Sequence, residues 1–268
     1  AAKDDREREG RRWSYYRDLG SPRLIVMDSR TGRELEEGHR SIFDEDEWDW
    51  IQDKARGDFD HLLIGTSGPY LLAPGLPYLE AWNEAVCNGA WGAAAAGVGE
   101  RIRRALDCDH WGAFQRSFMR LTALLEEVGS GERGRPPASI CILSGDVHHA
   151  YLAEAAFRRA ANVSSAVYQA VCSPYRKALD AHERLAVLIG HSRPTEVLVR
   201  ALARAAGVED PDLRWRFAGG PYFDNQIAQP RWDYTYDAVY RLISADGREH
   251  AGQASLPEST WDDVGRVN

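Results

Sequence analysis

Residues 144–149, S-G-D-V-H-H, place a carboxylate and two imidazoles directly after an apolar run at 140–143. If that run is a strand, its side chains alternate in direction, so Asp146 and His148 are expected to project the same way, with Cα atoms about 6.6 Å apart. A carboxylate and an imidazole that converge from one strand end are suitable ligands for a metal ion or for one of a metal pair. The spacing alone therefore makes Asp146 and His148 candidate metal ligands.

The residues around these two ligands have expected roles of their own. Val147 is expected to point back to the core, and His149 to point to the other side, toward solvent or a substrate. Gly145 leaves space, because a side chain there would crowd anything bound at the strand end. In the alternative interpretation, Asp146 caps the following turn and His148 is an exposed loop residue. The metal hypothesis therefore depends on what the neighbouring strands contribute.

A second charged pair follows another apolar run. Residues 26–30 read V-M-D-S-R, so Asp28 and Arg30 have the same spacing as Asp146 and His148. Open α/β sheets gather ligands at the carboxyl ends of their strands, and an arginine can hold a phosphate through two hydrogen bonds. A local ion pair that holds a turn explains Asp28 and Arg30 equally well. The loop within 63–69, L-I-G-T-S-G-P, would let backbone amides approach an anion, or is simply a turn.

Four short apolar runs are expected to form the strands that position these residues. Each is apolar almost throughout, which is typical of strands covered on both faces: 23–28, 61–66, 139–144 and 167–172. Helical patterns lie between the runs and after them, over 44–56, 77–87, 109–128 and 194–206. In the third of these patterns we expect Asp109 as the N-cap and Gly129 as the end. Strands that alternate with helices predict an α/β layered fold.

Two other stretches differ in texture from the rest. Residues 89–99, G-A-W-G-A-A-A-A-G-V-G, are of low complexity and are interpreted as a loop. After Asp210 the chain becomes aromatic, with strands predicted at 214–217 and 236–243 and a hairpin turn at Asp246-Gly247. We expect these strands to close one antiparallel edge of the sheet, so that residues 1–268 belong to a single domain.

Composition restricts the classes of partner. The chain has 268 residues and a formal charge of −8, so its bulk surface is expected to repel nucleic acid and anionic lipid. No apolar stretch reaches the roughly 18 residues of a membrane span. The four cysteines form no C-x-x-C pair, which favours a reducing, cytoplasmic compartment. The chain begins at Ala1 without an initiator methionine, so any export signal would lie upstream.

Six segments, taken in order, resemble the carboxyl-terminal half of a PhoD-like metallophosphatase of the alkaline phosphatase D family. They are R-L-I-V-M-D-S-R, D-H-L-L-I-G-T-S, L-E-A-W-N-E-A-V-C, W-G-A-F-Q-R-S-F, I-L-S-G-D-V-H-H-A-Y and G-G-P-Y-F-D-N-Q-I-A. The resemblance spans about residues 13–228, and G-D-V-H together with D-S-R is its most specific part.

The resemblance implies a calcineurin-like, four-layer α/β/β/α sandwich with a multinuclear metal centre, for which calcium and iron are the family's metals. Its members hydrolyse small phosphate monoesters or diesters with a metal-activated hydroxide. On the matching positions, Asp146 and His148 bind metal, and Asp28, Arg30 and His149 act in catalysis. The substrate is expected to contact Arg30 and Asn225.

One departure from the family pattern is large. The family takes most of its metal ligands from an amino-terminal half with a D-D-H-E-type segment, which this chain lacks. A catalytic zinc usually has three protein ligands, so the isolated chain is expected to be the carboxyl-terminal portion of a catalytic domain with impaired activity. The alternative is a non-catalytic remnant or interaction module that self-associates or binds the missing half. A metal-free hydrolase ranks last, because no G-x-S-x-G motif is present.

Overall fold

A computed structural model describes most of the chain, namely residues 12–36, 38–106, 108–159, 162–173, 179, 181–223, 231–236 and 242–248. These residues form a mixed α/β fold with a seven-stranded, mostly parallel sheet and six α-helices. In the described part of the chain, no helix has the length and apolar character needed to cross a membrane.

The main sheet has the strand order β1-β2-β3-β4-β6-β5-β7. Its members are β1 Tyr15–Asp18, β2 Pro22–Val26, β3 His61–Gly65, β4 Ser139–Ser144, β5 Ala150–Phe157, β6 Ala166–Val171 and β7 Leu213–Tyr222. The strands β2, β3, β4 and β6 run parallel, whereas β1, β5 and β7 pair antiparallel. The four strands predicted from apolar runs are therefore the parallel centre. Burial on both faces is reached only in part, because β4 has three consecutive buried residues whereas β6 alternates between half-buried and buried ones.

The helices are α1 Glu45–Lys54, α2 Gly75–Cys87, α3 Ala93–Ala105, α4 Gln115–Ser130, α5 Ala181–Gly190 and α6 Arg193–Ala205. The patterns over 44–56, 77–87 and 194–206 are confirmed as α1, α2 and α6. The loop predicted for 89–99 is wrong, because α3 begins at Ala93. Its alanines favour helix, and Gly99 permits close packing, since a Cβ there would lie 3.1 Å from Cys87 Sγ.

The predicted bounds of the helix over 109–128 are also wrong. Trp111–Ala113 forms a short 3-10 turn, and α4 begins only at Gln115. Asp109 does not cap the helix, because it lies six residues before Gln115. Its carboxylate instead accepts a hydrogen bond from Arg33 at 3.1 Å. At the other end, Gly131 adopts the left-handed conformation that ends the helix, with φ of 87°.

The aromatic tail is also arranged differently from the prediction. The strand predicted at 214–217 lies inside β7, which forms an edge of the main sheet. Two further strands, β8 Arg231–Tyr236 and β9 Leu242–Arg248, pair only with each other in a two-stranded sheet. Asp246 and Gly247 pair within β9, so the predicted turn there is wrong. Residues 237–241 lie outside the described part of the chain.

The core lies mainly between the central strands and helices α1 and α4. One buried cluster joins strand residues to aromatic and aliphatic side chains from these helices and from the turn before α4, among them Ile25, Ile64, Ile142, Trp48, Trp111, Phe114, Phe118 and Leu125. Burying each large side chain contributes about 1.5–3 kcal/mol, so this cluster holds the parallel strands in place. A second large sheet, which a four-layer sandwich requires, is not found among the described residues. That architecture stays a prediction.

Candidate functional site

The four parallel strands end at one edge of the sheet. The register pairs Val26 with Gly65, Gly65 with Leu143, and Ser144 with Val171, so the carboxyl ends of β2, β3, β4 and β6 lie side by side. The polar segments that follow these strands are therefore brought together as the sequence predicted. We call this place the carboxyl edge.

Arg30 and Asp146 form an ion pair across the carboxyl edge. Arg30 follows β2 and Asp146 follows β4, so the pair spans the end of the intervening strand β3. Both side chains are about half exposed, at 51% for Arg30 and 48% for Asp146. The guanidinium therefore faces a carboxylate in this structure, although it remains accessible to a phosphate from solvent.

Asp28 stabilises the turn after β2. Its carboxylate accepts hydrogen bonds from the backbone amides of Arg30, at 3.1 Å, and Thr31, at 3.0 Å. The Thr31 hydroxyl donates a further bond to it. Asp28 thus holds a turn, as the alternative interpretation proposed, but by hydrogen bonds to backbone and hydroxyl rather than by an ion pair with Arg30.

A chain of hydroxyl groups lies beneath this turn. Ser29 Oγ and Ser67 Oγ are 2.7 Å apart, and Thr66 Oγ1 donates to Ser29 Oγ at 3.0 Å. The indole of Trp111 donates to Thr66 Oγ1 at 3.3 Å, which ties the chain to the core. The buried hydroxyls are thereby mutually satisfied, and they fix the loops after β2 and β3 against each other.

The segment after β4 is a tight turn rather than a continued strand. Asp146 and His148 both adopt the left-handed conformation, with φ of 65° and 55°. The prediction that they project together by strand alternation is therefore wrong in its geometry, because alternation holds only for extended backbone. Non-glycine residues in this conformation cost about 1–2 kcal/mol each, so surrounding contacts must hold the turn.

Ser173 supplies two of those contacts. Its hydroxyl oxygen accepts the backbone amide of His148 at 2.7 Å and that of Val147 at 3.2 Å. The backbone amide of Gly145 donates to Ser67 O at 3.1 Å, which anchors the start of the turn to β3's loop. A Cβ on Gly145 would lie 3.2 Å from Cys172 O, so the glycine allows β4 and β6 to approach closely at their ends.

His149 is buried, at 3% exposure, whereas it was expected to point toward solvent or a substrate. Its Nδ1 donates to Val147 O at 2.7 Å, and its ring stacks on Tyr151 at 5.3 Å between centroids. Burial lowers the pKa of its imidazole from the usual value. His149 therefore braces the turn as a neutral ring, while Val147 packs toward the core as predicted.

The described residues do not by themselves form a metal centre. None of them gathers three or more His, Cys, Asp or Glu side chains in a group that could hold an ion. Asp146 is engaged by Arg30, and the His148 imidazole has no hydrogen-bond partner among the residues that the structure describes. The buried Ser144 Oγ also has no hydrogen-bond partner among the described residues, so one hydroxyl at the carboxyl edge is unsatisfied. Asn225 lies outside the described residues.

Sequence reasoning missed two residues that position this site. Ser173 lies two residues after the end of β6, just as Asp28 lies two residues after the end of β2. A polar residue in this place after an apolar run is the signal that could have identified it. Gln169 lies fully buried within β6, where its amide binds both Leu71 N at 2.8 Å and Leu71 O at 2.7 Å. A lone polar residue in an apolar run was the signal for Gln169, because a buried amide needs partners.

Comparisons with known proteins provide little support for the resemblance to PhoD-like phosphatases. No family model matches the chain, and no curated protein matches it. The chain is similar to a solved structure described as "Structure of PhoD", with a TM-score of 0.39 and 10% sequence identity. The similarity covers 62% of this chain and 30% of that one, so this chain spans less than a third of that structure's length. A similarity this weak does not establish a shared fold.

Proposed function

We propose that the carboxyl edge binds the phosphate group of a small phosphate ester and that the protein is a metal-dependent phosphoric ester hydrolase. The observation that supports this best is the convergence of Arg30, Asp146 and His148 from two strands that are not neighbours. The sequence segments that resemble PhoD-like phosphatases and phosphodiesterases favour the same reaction class. The four-layer, calcineurin-like sandwich is part of this proposal.

In this proposal Arg30 binds the phosphate. A guanidinium donates two parallel hydrogen bonds to phosphate oxygens, and Arg30 is exposed enough to exchange Asp146 for a substrate. The Ser144 hydroxyl at the same edge is buried and has no hydrogen-bond partner among the described residues, and the small residues after β3 would let backbone amides approach an oxyanion. Asn225 stays a proposed substrate contact and His149 a proposed catalytic residue, as the resemblance implies.

The metal requirement rests on Asp146 and His148. Both side chains have the donor atoms that divalent metals take, and calcium and iron are the metals that the resemblance implies. Two ligands do not complete a catalytic centre, so the proposal places the remaining ligands outside the described residues.

Hydrolysis of p-nitrophenyl phosphate and bis-p-nitrophenyl phosphate by the full-length protein tests the proposal, with calcium and iron added. His148→Ala is expected to remove metal-supported turnover and to lower the bound metal measured by elemental analysis. His191→Ala, at an exposed position after α5, is the matched control and should retain both. Unchanged turnover and metal content in His148→Ala would overturn the proposal.

One observation favours a second candidate, a non-catalytic interaction module. The ion pair occupies Arg30 and Asp146 with each other, and several large apolar side chains near α5 and α6 are exposed, including Leu185, Val197 and Leu198. Such a surface is typical of a chain that associates with another copy or with a missing half. Light scattering coupled to size exclusion separates the candidates, since an active, metal-loaded monomer argues against this one.

A further inference from the structure

Two cavities lie beside α2, apart from the carboxyl edge. They have volumes of about 380 and 340 Å³, which is within the usual range of small-ligand pockets. Arg40, Glu84 and Asn88 line both, so the two spaces meet at these residues. None of the residues of the carboxyl edge lines either cavity.

Arg40 lies between the cavities with unused hydrogen-bond donors. Its guanidinium stacks on the ring of Phe114 at 4.7 Å, and its buried Nε has no acceptor among the described residues. A guanidinium carries five N–H donors, and buried donors are normally satisfied. The neighbouring Arg103 differs, because Glu100 accepts its Nε and Nη2 at 2.7 Å each. Arg40 is therefore a cation that is available to an acceptor inside the cavities.

Glu84 provides a second polar group on the shared wall. Its Oε2 accepts the backbone amide of Gln115 at 2.8 Å. Burial raises the pKa of Glu84 to about 7, while the Gln115 amide and the Arg40 charge oppose that rise. The carboxyl is thus partly protonated near neutral pH, and in that form it donates a hydrogen bond instead of repelling an anion.

The charges on the cavity walls are nearly balanced, with Arg40, Arg103 and Arg116 against Glu84, Glu100 and Glu209. Arg103 pairs with Glu100, and Arg116 pairs with Glu45. Arg40 forms no such ion pair with any residue that the structure describes. The preference for an anion therefore rests on Arg40 rather than on a net positive charge of the cavities.

We propose that these cavities bind a small organic oxyanion, a carboxylate or a phosphate, through the Arg40 guanidinium, with Phe114 supporting the guanidinium from behind. This site is separate from the proposed phosphate-ester site and does not depend on it. The bound oxygens accept the Arg40 donors that the protein leaves unfilled, and Asn88 stands at the exposed side of both cavities.

Isothermal titration of the full chain with succinate and with inorganic phosphate tests the site. All proteins carry Arg30→Met, so that phosphate held at the carboxyl edge does not contribute. Arg40→Met is expected to weaken binding at least about tenfold, since it removes a charge-assisted contact but keeps the apolar stem. Comparing the two anions shows whether a carboxylate or a phosphate is the better ligand.

Asn88→Phe provides a second variant that does not alter a buried charge. Asn88 has φ of −77° and ψ of 8°, so a larger side chain is not strained there, and a ring would narrow the exposed side of both cavities. The Asn88→Phe substitution should also weaken binding at least about tenfold. It tests the proposal even if Arg40→Met does not fold. Arg216→Met, at an exposed arginine that lines neither cavity, should bind like the parent. The proposal is overturned if neither anion binds the parent, or if a folded Arg40→Met or Asn88→Phe variant binds as tightly as the parent.

Discussion

The guanidinium of Arg30 contacts the carboxylate of Asp146, and this contact joins the turns after β2 and β4 over the end of β3. The turn after β4 contains two non-glycine residues in the left-handed conformation, Asp146 and His148. Strained backbone of this kind persists only where surrounding contacts hold it, and such places are often functional. The ion pair is therefore both a brace of the turn and the arrangement that a bound phosphate would have to replace.

A double-mutant cycle with Arg30→Met and Asp146→Asn measures that brace. Both side chains are about half exposed, so we expect a stabilising coupling free energy below about 1 kcal/mol, smaller still in high salt. Asparagine tolerates the left-handed backbone at 146, so the substitution reports on charge rather than on strain. Urea unfolding of the four proteins gives the coupling, and a value of zero at low salt would show that the ion pair does not stabilise the turn.

Ser173→Ala tests whether one hydroxyl holds the turn. The substitution leaves the amides of Val147 and His148 without their acceptor, so the free energy of unfolding should fall by about 1–3 kcal/mol. Amide hydrogen exchange at these two positions should become faster. Ser130→Ala, whose hydroxyl donates to Glu127 O near the end of α4, is the control and should not affect exchange at the turn. Unchanged protection in Ser173→Ala would show that the turn is held by other contacts.

Gln169→Leu tests the buried amide that connects β6 to the segment after β3. Leu71 N and Leu71 O both lose a partner on this substitution, and Tyr151 OH remains as a donor to Leu71 O at 2.6 Å. At least one buried amide is left unsatisfied, so the free energy of unfolding should fall by about 1–3 kcal/mol. Gln169→Glu keeps an acceptor for Leu71 N and should lose less at acidic pH, where its carboxyl is protonated. Chemical denaturation of both variants measures the difference.

Glu84→Gln should change how stability depends on pH. The pKa of Glu84 rises from 4.5 to about 7 on folding, so below pH 4.5 both states carry the protonated carboxyl. Between these values the unfolded chain has released the proton while the folded protein keeps it. Stability therefore falls as pH rises through this window, by about 3 kcal/mol in total.

Urea unfolding of the parent and of Glu84→Gln from pH 4 to 8 checks this expectation. The variant should lack that fall, because glutamine does not titrate in this range. Glu209→Gln, at an exposed position that lines the larger of the two cavities, should behave like the parent. Parallel pH profiles for the parent and Glu84→Gln would show that folding does not raise the pKa of Glu84.

Much of the fold could be predicted because its signals are local. The apolar runs located the four parallel strands to within two residues, since none of the residues in these central strands is exposed to solvent. The helices over 44–56 and 77–87 followed from spacings of three and four. The start of α4 was predicted too early, because Trp111–Ala113 forms a 3-10 turn and Phe114 leaves the helical conformation, with φ of −135° and ψ of 67°. Trp111 in this turn is buried against Thr66 and Tyr70, which are far away in the chain. No local pattern contains those contacts.

The candidate site likewise has some features that the sequence predicts and others that depend on contacts between distant residues. The sequence by itself determined which polar residues follow the strands, and parallel strands necessarily bring those residues to one edge. Only the tertiary structure decided that Arg30 pairs with Asp146, that His149 is buried, and that Ser173 holds the turn after β4. These features depend on strand order and on left-handed backbone after β4. Both arise from contacts between distant segments, which the spacing of residues along the chain does not encode.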